Sequence, residues 1–338
     1  MTEANKRIQF LDISKGIGMM MIVWMHIWGN KPTEFASPEL INGFISSIYV
    51  PIFFTLSGYL IKIDTLCIKK EIRKKTKSLL KPFVVVYFIS FIISFFLSLV
   101  DFETKHEFVW DNILNPIYSK TFFNGPLWFL LSLYWGFLLF YFIVVISRRQ
   151  DFSIIFLSFV IGCIGFYIHR WEITLPLFMG PSLVACPLLT MGYLIKKYIS
   201  NYWQDRKWTV VISLLTGFLL LAIFGISISM QNNHYEGFYL LFLLSVFGGT
   251  IMVLCLSILN ERWLKFAAYW GKFSLVILCF HNFILIPTAK IFGKFIHQSM
   301  VWAVVTFIIL YVSFLFIIPL TSKICPSLFN IKNNDKEI

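Results

Sequence analysis

Ten long apolar runs set the strongest limit on what this 338-residue chain can fold into. About 20 consecutive apolar residues are needed to cross the hydrocarbon core of a bilayer as an α-helix. Because that core offers no water to backbone groups, spanning segments are either helices or strands of a closed barrel. These runs are continuously apolar and lack the alternation of a barrel strand, so they predict helices. They cover roughly residues 10–29, 41–61, 82–100, 122–147, 152–168, 174–195, 208–230, 237–258, 267–289 and 299–322.

The composition is that of a membrane protein rather than a soluble one. Only 14% of the residues are charged and 58% are hydrophobic, whereas about 25% of a soluble domain is charged. The predicted fold is therefore an all-α polytopic transmembrane helix bundle of about ten spans, formed as a single domain over residues 1–338. The fifth run is short and the sixth contains Pro176, Pro181 and Pro187, so either can enter the membrane without crossing it.

The basic residues of the loops predict the orientation. With the N-terminus placed in the cytoplasm, cytoplasmic segments hold 21 of the 29 Lys and Arg, and outer loops hold six. The acidic residues divide equally, eight on each side. An excess of Lys and Arg on the cytoplasmic side is the rule for membrane proteins. Both termini are therefore expected in the cytoplasm, which requires an even number of spans.

The net charge of +12 follows from this topology and does not predict nucleic-acid binding. Basic loops also contact anionic membrane lipids. The densest basic stretch, residues 69–81, includes Arg73 and Lys74 and can alternatively hold a phosphate-rich cofactor; charge alone does not separate the two. The six cysteines are scattered and form no CxxC pair, so the sequence predicts neither a metal site nor a disulfide framework.

Three ionisable residues, Asp12, Lys15 and His26, interrupt the first apolar run. Ionisable groups inside a span are costly and usually face the bundle interior or a water-filled path. Lys15 and His26 are eleven residues apart, which places them within about 20° of one another around a helix and about 16 Å apart along it. Asp12 lies three residues before Lys15 and can pair with it. The three side chains therefore share one stripe, with the Asp–Lys pair near the cytoplasmic mouth.

Two simpler explanations stay open for this stripe. Asp12 and Lys15 can form a pair at a helix end that reaches the lipid–water interface, and His26 can be a hydrogen-bonded histidine at the outer boundary. If both explanations held, the position of all three residues on one face of the helix would be a coincidence. Histidine exchanges protons near neutral pH, so His26 is also suited to act as a general base or proton shuttle.

The first helix resembles the opening signature of the membrane acyltransferase-3 family. In that signature a basic residue follows an Asp by three positions, and ten residues separate the basic residue from an essential His, as in Asp12, Lys15 and His26. The Lys15–Gly16 pair is similar to the fucose 4-O-acetylase-like branch, whereas many other members of the family carry arginine in place of this lysine. Further family landmarks follow in order along nearly the whole chain, at residues 51–60, 80–82, 125–130, 187–194 and 271–281.

The resemblance implies an O-acetyltransferase that takes acetyl-CoA from the cytoplasm as acyl donor. Its acceptor would be a hydroxyl of an envelope or capsular polysaccharide, or of a lipid-linked sugar, in a bacterial-type cytoplasmic membrane. Acyl transfer to an alcohol needs a base for the hydroxyl proton and positive charge for the developing oxyanion. His26 is the candidate base, or alternatively a transient acyl carrier, and Asp12 and Lys15 would shape the donor entrance. The residues available for the phosphates of the donor are Arg7, Lys15, Arg73 and Lys74.

Three more residues are candidates for contact with the substrate, and each has a simpler alternative. Ser57, beside Gly58, can let two helices approach closely. Trp128 can be an aromatic anchor at the membrane interface, and His281 can be a buried, hydrogen-bonded histidine.

Two other classes of protein share some of these features. A transporter or flippase of a lipid-linked sugar is also polytopic with buried charges, but it often shows internal repeats, which are not evident here. A membrane-embedded binding subunit would tolerate loss of His26.

Overall fold

The computed structural model describes residues 9–31, 38–99, 109–203, 207–293, 295, 296, 298–329 and 331. Arg7 lies outside these residues. Over the described part of the chain, ten helices are long and apolar enough to cross a membrane. They run Gln9–Gly29, Glu39–Tyr59, Ile68–Leu99, Gly125–Ile146, Asp151–Trp171, Pro176–Trp203, Lys207–Phe224, Tyr239–Leu259, Ser274–Phe292 and Ser299–Ile324. The predicted all-α bundle of ten spans is confirmed, and its orientation in the membrane stays a prediction.

Several spans contain short breaks, so the α-helical segments outnumber the spans. In chain order the segments are α1 (Gln9–Gly29), α2 (Glu39–Ser46), α3 (Pro51–Tyr59), α4 (Ile68–Lys75), α5 (Lys81–Leu99), α6 (Trp128–Ile146), α7 (Asp151–Tyr167), α8 (Met179–Leu194), α9 (Lys207–Phe224), α10 (Tyr239–Leu259), α11 (Lys265–Lys272), α12 (Ser274–Phe292) and α13 (Ser299–Ile324). A two-residue antiparallel pair, β1 (Ile228–Ser229) with β2 (His234–Tyr235), lies between α9 and α10.

The breaks fall where the sequence disfavours a continuous α-helix. Pro51 begins α3 after a turn, since proline lacks the N–H needed inside a helix and suits its first turn. A π-helical turn, Thr76–Leu80, joins α4 to α5, and 3-10 turns at Gly125–Leu127 and Pro176–Phe178 begin the fourth and sixth spans. The prolines of the sixth span leave it helical, because Pro181 lies in the first turn of α8 and Pro187 is accommodated inside that helix.

Four predicted boundaries are wrong by more than a turn. The sixth helix ends at Trp203 rather than near residue 195, and the ninth begins at Ser274 rather than near residue 267, where the separate short helix α11 lies. The third helix begins at Ile68 rather than near residue 82, because the basic stretch continues the helix beyond the apolar run. The seventh ends at Phe224 rather than near residue 230, and the chain then forms the small β1–β2 hairpin. These errors arise because hydropathy reports the apolar part of a segment and not the hydrogen bonds that begin and end its helix.

Hydrogen bonds between segments distant in sequence show which of them meet at each end of the bundle. We define the inner face as the end of the bundle at which α1 begins, and the outer face as the opposite end. Such bonds occur at both faces. They join Gln9 to Glu261 (3.1 Å) and Arg149 to Asp64 (3.0 Å) at the inner face, and Gln231 to Thr121 (3.1 Å) and Ser119 to Leu175 (2.6 Å) at the outer face. Connections alternate between the two faces along the chain, as expected when each long helix crosses once.

The helix α1 lies inside the bundle and packs against α3, α10, α11, α12 and α13. Its contact with α11 is backbone to backbone. A Cβ atom placed on Gly271 would lie 1.7 Å from the carbonyl oxygen of Asp12, and one on Gly16 would lie 1.8 Å from that of Ala267. Glycine is therefore required at these positions, and this close approach fixes the inner end of α1 beside α11.

Candidate functional site

The inner end of α1 carries the predicted Asp–Lys pair. Asp12 is buried, and its backbone carbonyl lies against Gly271 of α11, the residue before Lys272. Lys15 is half-buried one turn further along. Since α1 is unbroken from Gln9 to Gly29, the predicted spacing holds, and Lys15 is separated from His26 by about 16 Å of helix.

A second lysine joins Lys15 at the inner end. Lys75, at the end of α4, is half-buried, and its Nζ lies 3.4 Å from the centroid of the Phe137 ring. The charges of Lys75 and Lys15 are close enough to repel one another. We call Asp12, Lys15, Lys75 and Lys272 the inner basic mouth. Three lysines and one aspartate give this surface an excess of positive charge, which suits a phosphate-bearing ligand.

The two candidates chosen from the basic stretch are more exposed than Lys75. Arg73 and Lys74 are exposed, and the Nζ of Lys74 lies 3.8 Å from a carboxylate oxygen of Glu71. Sequence reasoning missed Lys75, although a signal was present. It lies four residues before Leu79, which is buried, so counting back one helical turn from the apolar anchor selects Lys75 rather than its neighbours.

His26 meets a second histidine in the outer half of the bundle. The ring centroids of His26 on α1 and His281 on α12 are 5.0 Å apart, with their planes at 55°. His281 is fully buried, and its Nδ1 lies 2.8 Å from the carbonyl oxygen of Ile277. A carbonyl only accepts, so Nδ1 carries the proton in the neutral ring and Nε2 is left as an acceptor. The structure thus brings together two predicted site residues that are 255 positions apart in sequence.

Two asparagines add buried polar groups around the histidine pair. Asn124, at the start of the fourth span, donates a 2.8 Å hydrogen bond from Nδ2 to the carbonyl oxygen of Cys279, two residues before His281. Asn282 follows His281 on α12 and is also buried. Over the described residues, His281 Nε2 and the Oδ1 atoms of both asparagines are buried without a hydrogen-bond partner. Buried polar atoms are normally paired, so such acceptors mark places where a ligand or water completes the bonding.

The remaining predicted substrate residues lie elsewhere. Trp128 is buried at the start of α6 and packs against Phe178, with ring centroids 6.2 Å apart. It lies one helical turn after Asn124, which is near the histidine pair. Over the residues that the structure describes, no hydrogen bond or ring contact joins Trp128 to either histidine. Ser57 is half-buried on α3. Its neighbour Gly58 explains the small residues there, because a Cβ atom on Gly58 would lie 2.0 Å from the carbonyl oxygen of Leu189 on α8.

The site has no evident metal-binding arrangement. Among the residues that the structure describes, no three His, Cys, Asp or Glu side chains are grouped closely enough to hold a metal ion. The arrangement is instead an inner basic mouth and a deep histidine pair carried by the same helix. It can hold an anionic group at one end and exchange a proton at the other.

Comparison with known proteins supplies one match. The model of the acyltransferase-3 family, described as an acyltransferase domain, matches residues 8–319. The matched region includes α1, the inner basic mouth and both histidines. No curated protein and no solved structure matches the chain.

Proposed function

The chain belongs to the acyltransferase-3 family, and from that premise we propose that this membrane acyltransferase moves an acetyl group from acetyl-CoA to a carbohydrate hydroxyl. The acceptor would be an envelope or capsular polysaccharide or a lipid-linked sugar, and the membrane the cytoplasmic membrane of a bacterial-type cell. The observation that carries the proposal is the meeting of His26 and His281, at 5.0 Å, deep along the helix that begins at the inner basic mouth.

The donor end of the reaction is assigned to the inner basic mouth. Lys15 and Lys75 would attract the phosphates of the donor, and the exposed Arg73 and Lys74 would add positive charge at longer range. Arg7, a candidate from the sequence alone, would add one more positive charge. A lysine presents one compact charge and not the two-pronged fork of arginine. Loose electrostatic capture is therefore expected here rather than a rigid phosphate clamp.

The transfer itself is assigned to the histidine pair. The acceptor hydroxyl oxygen bonds to the acetyl carbon, the carbon–sulfur bond of the thioester breaks, and the hydroxyl proton passes to His26. His26 then returns that proton to the departing thiolate, so that the free thiol leaves. The buried Nε2 of His281 would accept a hydrogen bond in this site and hold the hydroxyl or His26 in position. Aligning the reacting groups in this way lowers the barrier by removing the entropy cost of their meeting.

Membership of an acyltransferase family favours transfer over transport as the activity. A transporter or flippase would need no base at this position. It would also need to release its cargo on the other side of the membrane without chemical change.

The test is transfer of label from acetyl-CoA with a radioactive acetyl group. Membranes containing wild type, His26→Ala or His234→Ala are supplied with the donor, and label in polysaccharide is followed. His234 is exposed on β2 and serves as the histidine control. General-base catalysis contributes about 10²- to 10⁴-fold, so His26→Ala should lose that much of the rate and His234→Ala very little.

Equal labelling by His26→Ala and wild type would overturn the assignment of His26. If the acceptor crosses the bilayer and carries no label, the transporter explanation is correct instead.

A further inference from the structure

A polar cavity of about 540 Å³ lies at the outer face. Three connections form it, residues 118–120, 169–175 and 231–233, together with the start of α8. Pockets that bind small organic ligands usually measure about 300–1,000 Å³. The cavity is therefore large enough for a sugar unit, and it is separate from the inner basic mouth at the opposite end of the bundle.

The walls of this outer cavity combine hydrogen-bonding groups with an aromatic ring. Gln231 and Asn233 contribute side-chain amides, and each amide both donates and accepts. Tyr118 contributes a ring that is 60% exposed. The fully charged residues of the lining, Lys120 and Glu172, balance one another. Sugars present hydroxyls that donate and accept and C–H faces that pack on aromatic rings, so this lining matches a neutral carbohydrate better than an acidic one.

Backbone strain is concentrated around the same cavity. Over the described residues, seven non-glycine residues have a positive φ, and five of these lie in or beside its walls. The five, with φ between 52° and 56°, are Ser119, Glu172, Leu177, Phe178 and Asn233. Positive φ is unfavourable for bulky side chains. Such strain persists only where surrounding contacts impose it, and it is common at binding sites.

Ser119 imposes the strained conformation on the segment that precedes α8. Its Oγ donates to the carbonyl oxygen of Leu175 (2.6 Å) and accepts from the backbone N–H of Phe178 (2.7 Å). The N–H of Leu177 donates to the carbonyl oxygen of Pro116 at 3.1 Å. These bonds fix one wall of the cavity in a single shape before any ligand arrives, which reduces the entropy cost of binding.

The outer cavity is joined to the histidine pair by a short stretch of chain. Gln231 Nε2 donates to Thr121 Oγ1 at 3.1 Å, and three residues later Asn124 bonds the backbone of Cys279 near His281. Lys120 in the cavity wall and Asn124 are four positions apart in the sequence. An extended chain covers at most about 14 Å over that interval, so Asn124 lies within the length of a short oligosaccharide from the cavity wall.

We propose that the outer cavity is an acceptor subsite that binds a neutral sugar unit of the glycan whose hydroxyl is acetylated at His26. This inference rests on the proposed function, and it adds where the acceptor is held and which class of sugar is preferred. The subsite would hold one unit of the glycan while another unit is presented to the histidine pair.

The experiment measures glycan binding directly, without acetyl transfer. Full-length protein in lipid nanodiscs is tested against short neutral oligosaccharides of hexose, 6-deoxyhexose and N-acetylhexosamine units, and against a hexuronic acid series. Each neutral glycan is offered both free and attached to a lipid. The variants are Tyr118→Ala and Gln231→Ala in the cavity, with Tyr202→Ala, an exposed tyrosine at the inner face, as matched control. Thermal unfolding midpoints verify that each variant is folded.

A neutral glycan should bind wild type and Tyr202→Ala alike. Each cavity variant should bind it about two- to tenfold more weakly, the effect of losing one hydrogen bond or a similar contact. Free and lipid-attached forms both support the subsite, and the tighter one identifies the natural source.

Absence of neutral-glycan binding, preference for the acidic series, or equal affinity of Tyr118→Ala, Gln231→Ala and Tyr202→Ala would overturn the subsite. Because binding is measured alone, its outcome is separate from that of the proposed function. If wild type binds glycan and transfers no acetyl group, the proposed function fails and the subsite stands.

Discussion

The contact between α1 and α11 makes one substitution unusually informative. A Cβ atom on Gly271 would lie 1.7 Å from the carbonyl oxygen of Asp12, and contacts under 3.0 Å are essentially never seen for real Cβ atoms. In Gly271→Ala this separation must therefore grow from 1.7 Å to at least 3.0 Å, a movement of 1.3 Å. The opposing atom belongs to a helix backbone and not to a flexible side chain, so α1 and α11 must shift as units.

The shift should lower both stability and transfer. Overpacking of a well-packed interior costs about 1–3 kcal/mol and occasionally more, and here backbone rather than side chain has to move. The movement also displaces Asp12 and Lys15 from the inner basic mouth. A displacement of about 1 Å in positioning groups can lower a rate by about 10²-fold, so the loss of activity should exceed what the loss of folded protein explains.

The assay compares thermal unfolding midpoints and acetyl transfer for wild type, Gly271→Ala and Gly43→Ala in detergent. A Cβ atom on Gly43, in α2, would have no neighbour within 4 Å, so Gly43→Ala is the matched control. We expect a lower midpoint and slower transfer for Gly271→Ala, with Gly43→Ala similar to wild type. Equal midpoints and rates for Gly271→Ala and Gly43→Ala would refute the reasoning that backbone contact positions α1.

Three further substitutions test other parts of the structure. Lys75→Met should raise the KM for acetyl-CoA roughly tenfold or more, the effect of losing one charge-assisted contact. The control is Lys70→Met, exposed on the same helix, which should leave this KM unchanged. Equal KM values for the two variants would exclude Lys75 from donor binding. Asn124→Ala removes the 2.8 Å hydrogen bond to the backbone of Cys279. It should cost about 1 kcal/mol of stability and slow acetyl transfer. An unchanged kcat would contradict the role of Asn124 beside the histidines. Asp151→Asn weakens the hydrogen bonds from Tyr193 (2.9 Å) and Lys197 (2.5 Å). It should therefore lower the unfolding midpoint and leave the KM for acetyl-CoA unchanged. A shift in that KM would contradict a purely structural role for Asp151.

The architecture was largely predictable because its physical cause is local. A run of about 20 apolar residues has few alternatives to a membrane helix, so the number of spans followed from the sequence. The stripe of Asp12, Lys15 and His26 followed from helical geometry alone, and α1 is unbroken over it. Gly16 and Gly271 belong to the motifs that carry the family resemblance. Only the structure shows that the backbones of α1 and α11 touch at these two glycines.

The site was predictable only in part, because its contacts join distant segments. His26 and His281 were both candidates, but no local pattern indicates that they meet across 255 positions. Asn124 was missed because an asparagine before Gly125–Pro126 is equally typical of a turn. Its bond to Cys279 depends on the packing of the fourth span against α12.

Other features contradict local preference and therefore had no signal in the sequence. Leu177 and Phe178 have positive φ, which is unfavourable for such side chains; contacts from Ser119 and Pro116 impose it. The choice of Lys75 over Arg73 and Lys74 depends on the rotation of α4 within the bundle. Tertiary packing sets that rotation, and only the buried Leu79 hinted at it.

The most direct test of the central claim is a double-mutant cycle on the two histidines. The rate of acetyl transfer from labelled acetyl-CoA is measured for wild type, His26→Ala, His281→Ala and the double variant, each verified as folded by its unfolding midpoint. Residues that act as one catalytic unit show strongly non-additive effects. We predict that the double variant is about as slow as His26→Ala alone. Losses that simply multiply, or a His26→Ala enzyme as active as wild type, would contradict a shared catalytic site.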